Sequence, residues 1–99
     1  MENYKGKKVI VRGIQSGVYF GEMVERNGQA VELKDVRNLW GWKGANNLLD
    51  LAENGVREPD NCRFSNTIGS IVLTDICEIV PCSDTAIKVI EGVKEWIYR

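Results

Sequence analysis

Three stretches of this sequence carry side chains whose types and spacing suit ligand chemistry. Arg37-Asn38-Leu39-Trp40-Gly41-Trp42-Lys43-Gly44-Ala45 gathers two tryptophans, two cations and two glycines into nine residues. Tryptophans two apart in an extended chain point the same way. That makes a platform for a planar ring, with Arg37 or Lys43 in reach of an attached phosphate. The competing reading is that each ring packs a core or a subunit interface, since aromatics are the largest apolar side chains the protein has. The second stretch is Cys62-Arg63-Phe64-Ser65-Asn66. Here an arginine could clamp phosphate, a phenylalanine could stack, and an amide could bond an adenine edge bidentately, although loops with such residues are common. Arg12, where a β-branched run meets Gly13, is the third candidate, and its competing role is a surface ion pair.

Catalytic sets are missing from the sequence. There is no histidine, which removes the usual general base near neutral pH and the commonest metal ligand. Neither a G-x-S-x-G elbow nor a phosphate-cradling glycine motif occurs. Gly13, Gly17 and Gly21 are spaced by four and fit turns and strand bends better. The carboxylate pairs Asp75/Glu78 and Asp50/Glu53 read as solvated surface. Cys62, Cys77 and Cys82 are odd in number and lack C-x-x-C spacing, so three reduced, partly buried thiols are expected rather than a metal site or a disulfide framework. A binding protein without catalytic residues, metal or cofactor is the expectation.

The 13 basic residues are offset by 14 acidic ones, leaving no broad cationic field for DNA or RNA. A small anionic ligand is still compatible, because two or three placed arginines serve one or two phosphates. With 43% hydrophobic and 27% charged residues in 99, the chain reads as one folded domain over residues 1–99. The N-terminus has no apolar signal core, and no apolar run approaches the roughly 20 residues needed to span a bilayer. A cytoplasmic protein is expected.

These candidates need a scaffold, and the pattern predicts an α+β fold: a small antiparallel sheet of four to five strands with two helices. Lys7 to Arg12 reads as a strand buried on both faces. Val18 onward forms a second strand, and Asn27-Gly28 suits a tight hairpin into a third near Gln29 to Lys34, with Val31 and Leu33 inward. Asp35 to Gly44 reads as a short extended or irregular stretch. Ala45, Leu48, Leu49 and Ala52 recur at helical spacing, giving a helix of about ten residues closed by Gly55. Val56 to Ser65 is a loop, and Ser70 to Val80 a strand bent near Thr74-Asp75. Ser83 or Asp84 caps a last helix with Ala86, Val89, Ile90, Val93, Trp96 and Ile97 as its apolar stripe.

Taken together, V-I-V-R at Val9 to Arg12, G-V-Y-F-G at Gly17 to Gly21, R-N-L-W-G-W-K-G-A at Arg37 to Ala45, P-D-N-C-R-F at Pro59 to Phe64 and I-V-L-T-D-I-C-E-I at Ile71 to Ile79 resemble small phage proteins of the first anti-Thoeris type. The likeness covers nearly the whole chain, most specifically the tryptophan segment and the C-R-F loop. It implies a sponge that captures, without degrading it, the cyclic ADP-ribose isomer made by a bacterial TIR-domain enzyme, so that a downstream NADase effector stays off in the host cytoplasm. It also implies homodimers or hexamers, with cyclic trinucleotides at separate sites in relatives. On this resemblance Phe64 or a Trp40/Trp42 ring would stack the adenine, Asn66 would take its edge, and Arg12, Arg37 and Arg63 would hold the pyrophosphate, with Lys43 nearby. The main alternative is a protein-binding phage module that inhibits a host enzyme, using Trp96, Ile97 and Tyr98 on the last helix as its contact face. An enzyme hydrolysing the same ligand and a structural phage protein are two further readings.

Overall fold

Strand β1, Lys8–Gly13, is buried on both faces, which explains why its β-branched run shows so little alternation. In the computed structural model, which describes residues 3–98, it pairs antiparallel with β2, Val18–Asn27, on one side and β6, Ile76–Pro81, on the other. β3, Ala30–Gly41, follows β2 through a tight hairpin. β5, Ile68–Leu73, and the two-residue β4, Arg63–Phe64, lie end to end along the far side of β3. The fold is α+β, with six antiparallel strands and two helices, α1 at Leu48–Asn54 and α2 at Asp84–Gly92.

Only Thr74 and Asp75 separate β5 from β6, yet the two strands border opposite ends of the β3-β2-β1 row. The sheet must therefore curl, and Ile76 N–H indeed bonds Gln29 carbonyl in the β2–β3 turn. The curl encloses an inner cluster of Val9, Val11, Met23, Val31, Leu33, Val36, Leu73 and Ile76. On the other face Ile10, Phe20, Leu39 and Phe64 pack against Leu48, Leu51 and Ala52 of α1 and Ala86 and Ile90 of α2.

The hairpin turn centres on Gly28 and Gln29, one residue later than the Asn27-Gly28 reading, because Asn27 pairs with Ala30. Gly28 has φ +60, the positive value that the first central position of a type II′ turn requires. β3 runs on through Asp35, where an irregular stretch was expected. A bulge explains this. Between Lys34 and Arg37 the strand spends three steps against two on β2, with Asp35 at φ +50. The additional residue flips the alternation, so Leu33 and Val36 face the inner cluster while Arg37 and Leu39 turn toward the helices.

Two helix expectations need correction. α1 has seven residues, begun by Asn47, whose side chain accepts the Asp50 N–H at 2.9 Å, and it buries Leu51 while Leu49 is exposed. α2 starts at the Ser83 cap as expected but stops at Gly92. Trp96, Ile97 and Tyr98 are therefore not on a helix: Lys94 to Tyr98 forms an exposed tail laid across β4, with Trp96 N–H donating to Phe64 carbonyl at 2.9 Å. Glycine, the residue with most backbone freedom to lose, favours an end there over another turn.

The Thr74-Asp75 bend lies between two strands rather than inside one. Its carboxylate is engaged rather than merely solvated: Asp75 accepts the N–H groups of Gln15 and Ser16 at 2.7 and 2.9 Å and the Ser16 hydroxyl at 2.7 Å. These bonds, the Ser16 hydroxyl's foremost, hold the Asp75 carboxyl below its ordinary range. A carboxyl depressed in the fold stabilises the protein above its unfolded pKa, about 4, and loses that contribution as pH falls through the folded value. Thermal midpoints followed from neutral pH downward should drop below about pH 4 in the wild type, and less steeply in Asp75→Asn. Equal slopes would mean that this clamp contributes nothing.

Candidate functional site

The tryptophan segment leaves the sheet at the end of β3. A second irregularity between Leu39 and Gly41 places Trp40 on a bulge, and Gly41 pairs with Arg63. Beyond it Gly44 has φ +86, and a Cβ there would lie 2.5 Å from Arg57 backbone nitrogen. Only glycine allows that approach. Arg57 donates N–H and guanidinium hydrogens to Gly44 carbonyl at 3.1 and 2.7 Å, while its guanidinium also grips Asp50 at 2.9 Å. Cys62 Sγ, buried, lies 3.4 Å from Glu58 carbonyl and 3.9 Å from Lys43 carbonyl. The loop carrying Trp42 and Lys43 is thus pinned to the turn at Pro59–Asn61 and to α1.

Between these pieces lies a recess of about 510 Å³ lined by Trp40, Trp42, Lys43, Asp60, Arg63 and Trp96, among others. A second, of about 660 Å³, adjoins it through Asp60, Cys62 and Trp96 and extends along the tail past Lys94 and Ile97. Both volumes are in the range of small-ligand sites. Trp40 and Trp96 are 47% and 41% exposed, and their rings meet edge to face with centroids 6.0 Å apart. Arg63 lies 5.2 Å from the Trp96 ring centroid. Neither Arg63 nor Lys43 has an ion-pair partner among the described residues. The arrangement offers aromatic faces and two uncommitted cations to one solvent-open hollow, which suits a planar ring bearing phosphate.

Of the residues expected to bind ligand, Trp40, Trp42, Lys43 and Arg63 come together here. Trp42 is partly buried against the core, and Trp40's ring partner is Trp96 rather than Trp42, so the expected two-ring platform is replaced by a corner. Phe64 and Arg37 are corrected to interior positions. Phe64 is wholly buried, with the Arg37 guanidinium 5.5 Å from its ring centroid. Arg37, only 4% exposed, donates to Ser65 and Ile90 carbonyls, both at 2.7 Å. The β3 bulge turns Arg37 toward the helices, and Phe64 on β4 pairs with Leu39 and packs in the same cluster. Arg12 and Asn66 lie outside the recess: Arg12 makes the competing surface ion pair, with Glu78 at 3.6 Å, and Asn66 is exposed between β4 and β5. Trp96 is the lining residue the helical stripe concealed. Gly92 was the available sign that the helix stops before it.

The three thiols are free, but Cys77 is exposed rather than partly buried. Burial pushes the Cys82 thiol up to about 12, and Cys62 is buried. A thiol reagent at pH 8 should therefore label one cysteine of the native chain, Cys77, and all three after denaturation. Fast native labelling in Cys77→Ser would contradict this.

Residues 6–90 match the family described as a domain of unknown function, DUF6948. The chain belongs to that family. The matched DUF6948 span takes in all six strands and the recess wall from Trp40 to Arg63, and stops before Trp96. No curated protein and no solved structure matches the chain. No helix among the described residues is long and apolar enough to cross a membrane, and no cluster of three or more metal-ligating side chains occurs among them.

Proposed function

We propose that this DUF6948 protein is a phage anti-defence sponge that binds a cyclic ADP-ribose isomer in the host cytoplasm and withholds it from a Thoeris-type effector without degrading it. The observation that carries the reading is the solvent-open recess in which Trp40, Trp42 and Trp96 meet the unpaired cations Arg63 and Lys43. Aromatic faces take the adenine by stacking, and a guanidinium takes the pyrophosphate. The sequence supplies no histidine to hydrolyse what is bound, which fits capture rather than turnover. Homodimers or hexamers, and cyclic trinucleotides bound at separate sites, belong to the same reading by resemblance.

The test incubates the protein with the cyclic ADP-ribose isomer, removes free ligand by filtration, denatures the protein by heat and analyses what is released. Depletion followed by release of intact ligand is the expected result. Release of a hydrolysed product would make the protein an enzyme, and undepleted ligand would end the reading. The second reading, a module that blocks a host enzyme, draws on the exposed tail residues Ile97 and Tyr98. It predicts capture of one host protein, lost in Tyr98→Ala, together with no nucleotide binding.

A further inference from the structure

We propose that β5 is a self-pairing edge: two copies of the chain join their β5 strands antiparallel about a two-fold axis through Ser70. β5 is hydrogen-bonded to β3 alone, in a register without slips from Val31↔Leu73 to Val36↔Ile68. No strand covers its other side among the described residues. In an antiparallel ladder alternate residues turn their N–H and C=O groups away from the partner, so β5 presents a regular row of unpaired backbone groups. Leu73 enters the inner cluster and Ile71 packs against it. Ile68 and Val72, of the other parity, are 51% and 63% exposed.

Natural sheets blunt an open edge with charge, proline, bulges or very short strands. The two edges of this sheet differ in that respect. β6 carries exposed Glu78, ion-paired with Arg12, and ends at exposed Pro81. β5 has none of these devices: no residue from Phe64 to Thr74 is charged, in a chain where 27% of residues are.

The uncharged pattern selects a second copy as the occupant. A two-fold axis normal to a sheet keeps each side chain on its own face, so in a symmetric antiparallel pair the axial residue must oppose itself. With Ser70 on the axis, Ile68 of each copy faces Val72 of the other. The outer surface then gains two β-branched pairs flanking a serine pair. No like charges meet across the seam, the penalty that self-pairing most often incurs. A strand without charge also has nothing with which to select a charged peptide. Five residues of each strand, Ile68 to Val72, are paired, which lies at the low end of interface sizes, so the dimer should dissociate on dilution. The inference does not rest on nucleotide binding: a ligand-free dimer keeps it, and a ligand-binding monomer sinks it.

Light scattering across a dilution series tests it. The wild type should move from twice the 11.2 kDa chain mass toward one chain mass, whereas Val72→Lys should be monomeric throughout with an unchanged circular dichroism spectrum. Ser70→Cys in a Cys77→Ser background should form an intermolecular disulfide under mild oxidation, and lose it when Val72→Lys is added. A wild type monomeric at every concentration, or a dimer that Val72→Lys leaves intact, overturns the proposal.

Discussion

Replacing Arg37 by methionine should cost the fold about 3–5 kcal/mol. The side chain is buried, and its guanidinium joins three parts of the molecule: β3, which carries it, the chain after β4 through Ser65 carbonyl, and the end of α2 through Ile90 carbonyl. The last carbonyls of a helix have no partner within it, and a cation there also meets the negative end of the helix dipole. Burial pulls the pKa of Arg37 below its ordinary value while the charge of Glu95 opposes that, and an arginine remains charged at neutral pH. Methionine would fill much of the volume and avoid the desolvation penalty, but it removes two charge-assisted hydrogen bonds, worth about 1.5–3 kcal/mol each, and leaves Ile90 carbonyl with only the Val93 N–H at 3.3 Å. Against a total stability of roughly 5–15 kcal/mol for a domain, that is enough to lower the urea midpoint sharply with an unchanged slope. Lysine can serve one carbonyl but not both and should fall between. Arg12→Met, which removes an exposed ion pair, should cost about 1 kcal/mol or less. If Arg37→Met unfolds at the wild-type midpoint, the tie between β3 and α2 is not structural.

This residue also marks where the sequence stopped being readable. Elements set by local chemistry were legible: the doubly buried β1 from its β-branched run, the hairpin from Gly28, the Ser83 cap, the Gly55 helix end. Register along β3 was not, because it depends on an added residue at Asp35, and a bulge leaves no mark in side-chain periodicity until its partner strand is known. Beyond it the sequence read only as a short extended or irregular stretch, with no face assigned to Arg37 or Leu39. Arg37 and Phe64 looked like ligand contacts, being a cation and an aromatic in segments rich in both, when each completes the interior beneath the helices. Trp96 was misplaced for a different reason. Its spacing fits the stripe of α2, and only the competition at Gly92 between helix continuation and backbone freedom decides that the chain turns back over β4. Trp40, Trp42, Lys43 and Arg63 were legible as a set because they lie in two short segments that one strand pair brings together.

Removing Trp40 or Arg63 should each weaken binding of the cyclic ADP-ribose isomer by roughly 10–100-fold, from about 1–3 kcal/mol for a stacked base and a similar amount for a charge-assisted phosphate contact. Titration calorimetry on Trp40→Ala and Arg63→Ala reads this directly. Both side chains are exposed, so neither variant should move the thermal midpoint far, which separates lost contact from lost fold. Trp40→Phe should keep most of the affinity. Arg63→Lys should keep the charge yet lose the planar fork, and Arg12→Ala, outside the recess, should bind as the wild type does. The two losses are not expected to add. Trp96 leans edge-on against Trp40 and lies under Arg63, so either truncation also loosens the third wall, and contacting residues couple. A double-mutant cycle between Arg63→Ala and Trp96→Ala should therefore give a double variant that binds better than the sum of the single losses allows. Strict additivity would mean that Trp96 is only packing, and wild-type affinity in both Trp40→Ala and Arg63→Ala would remove the recess from the function altogether.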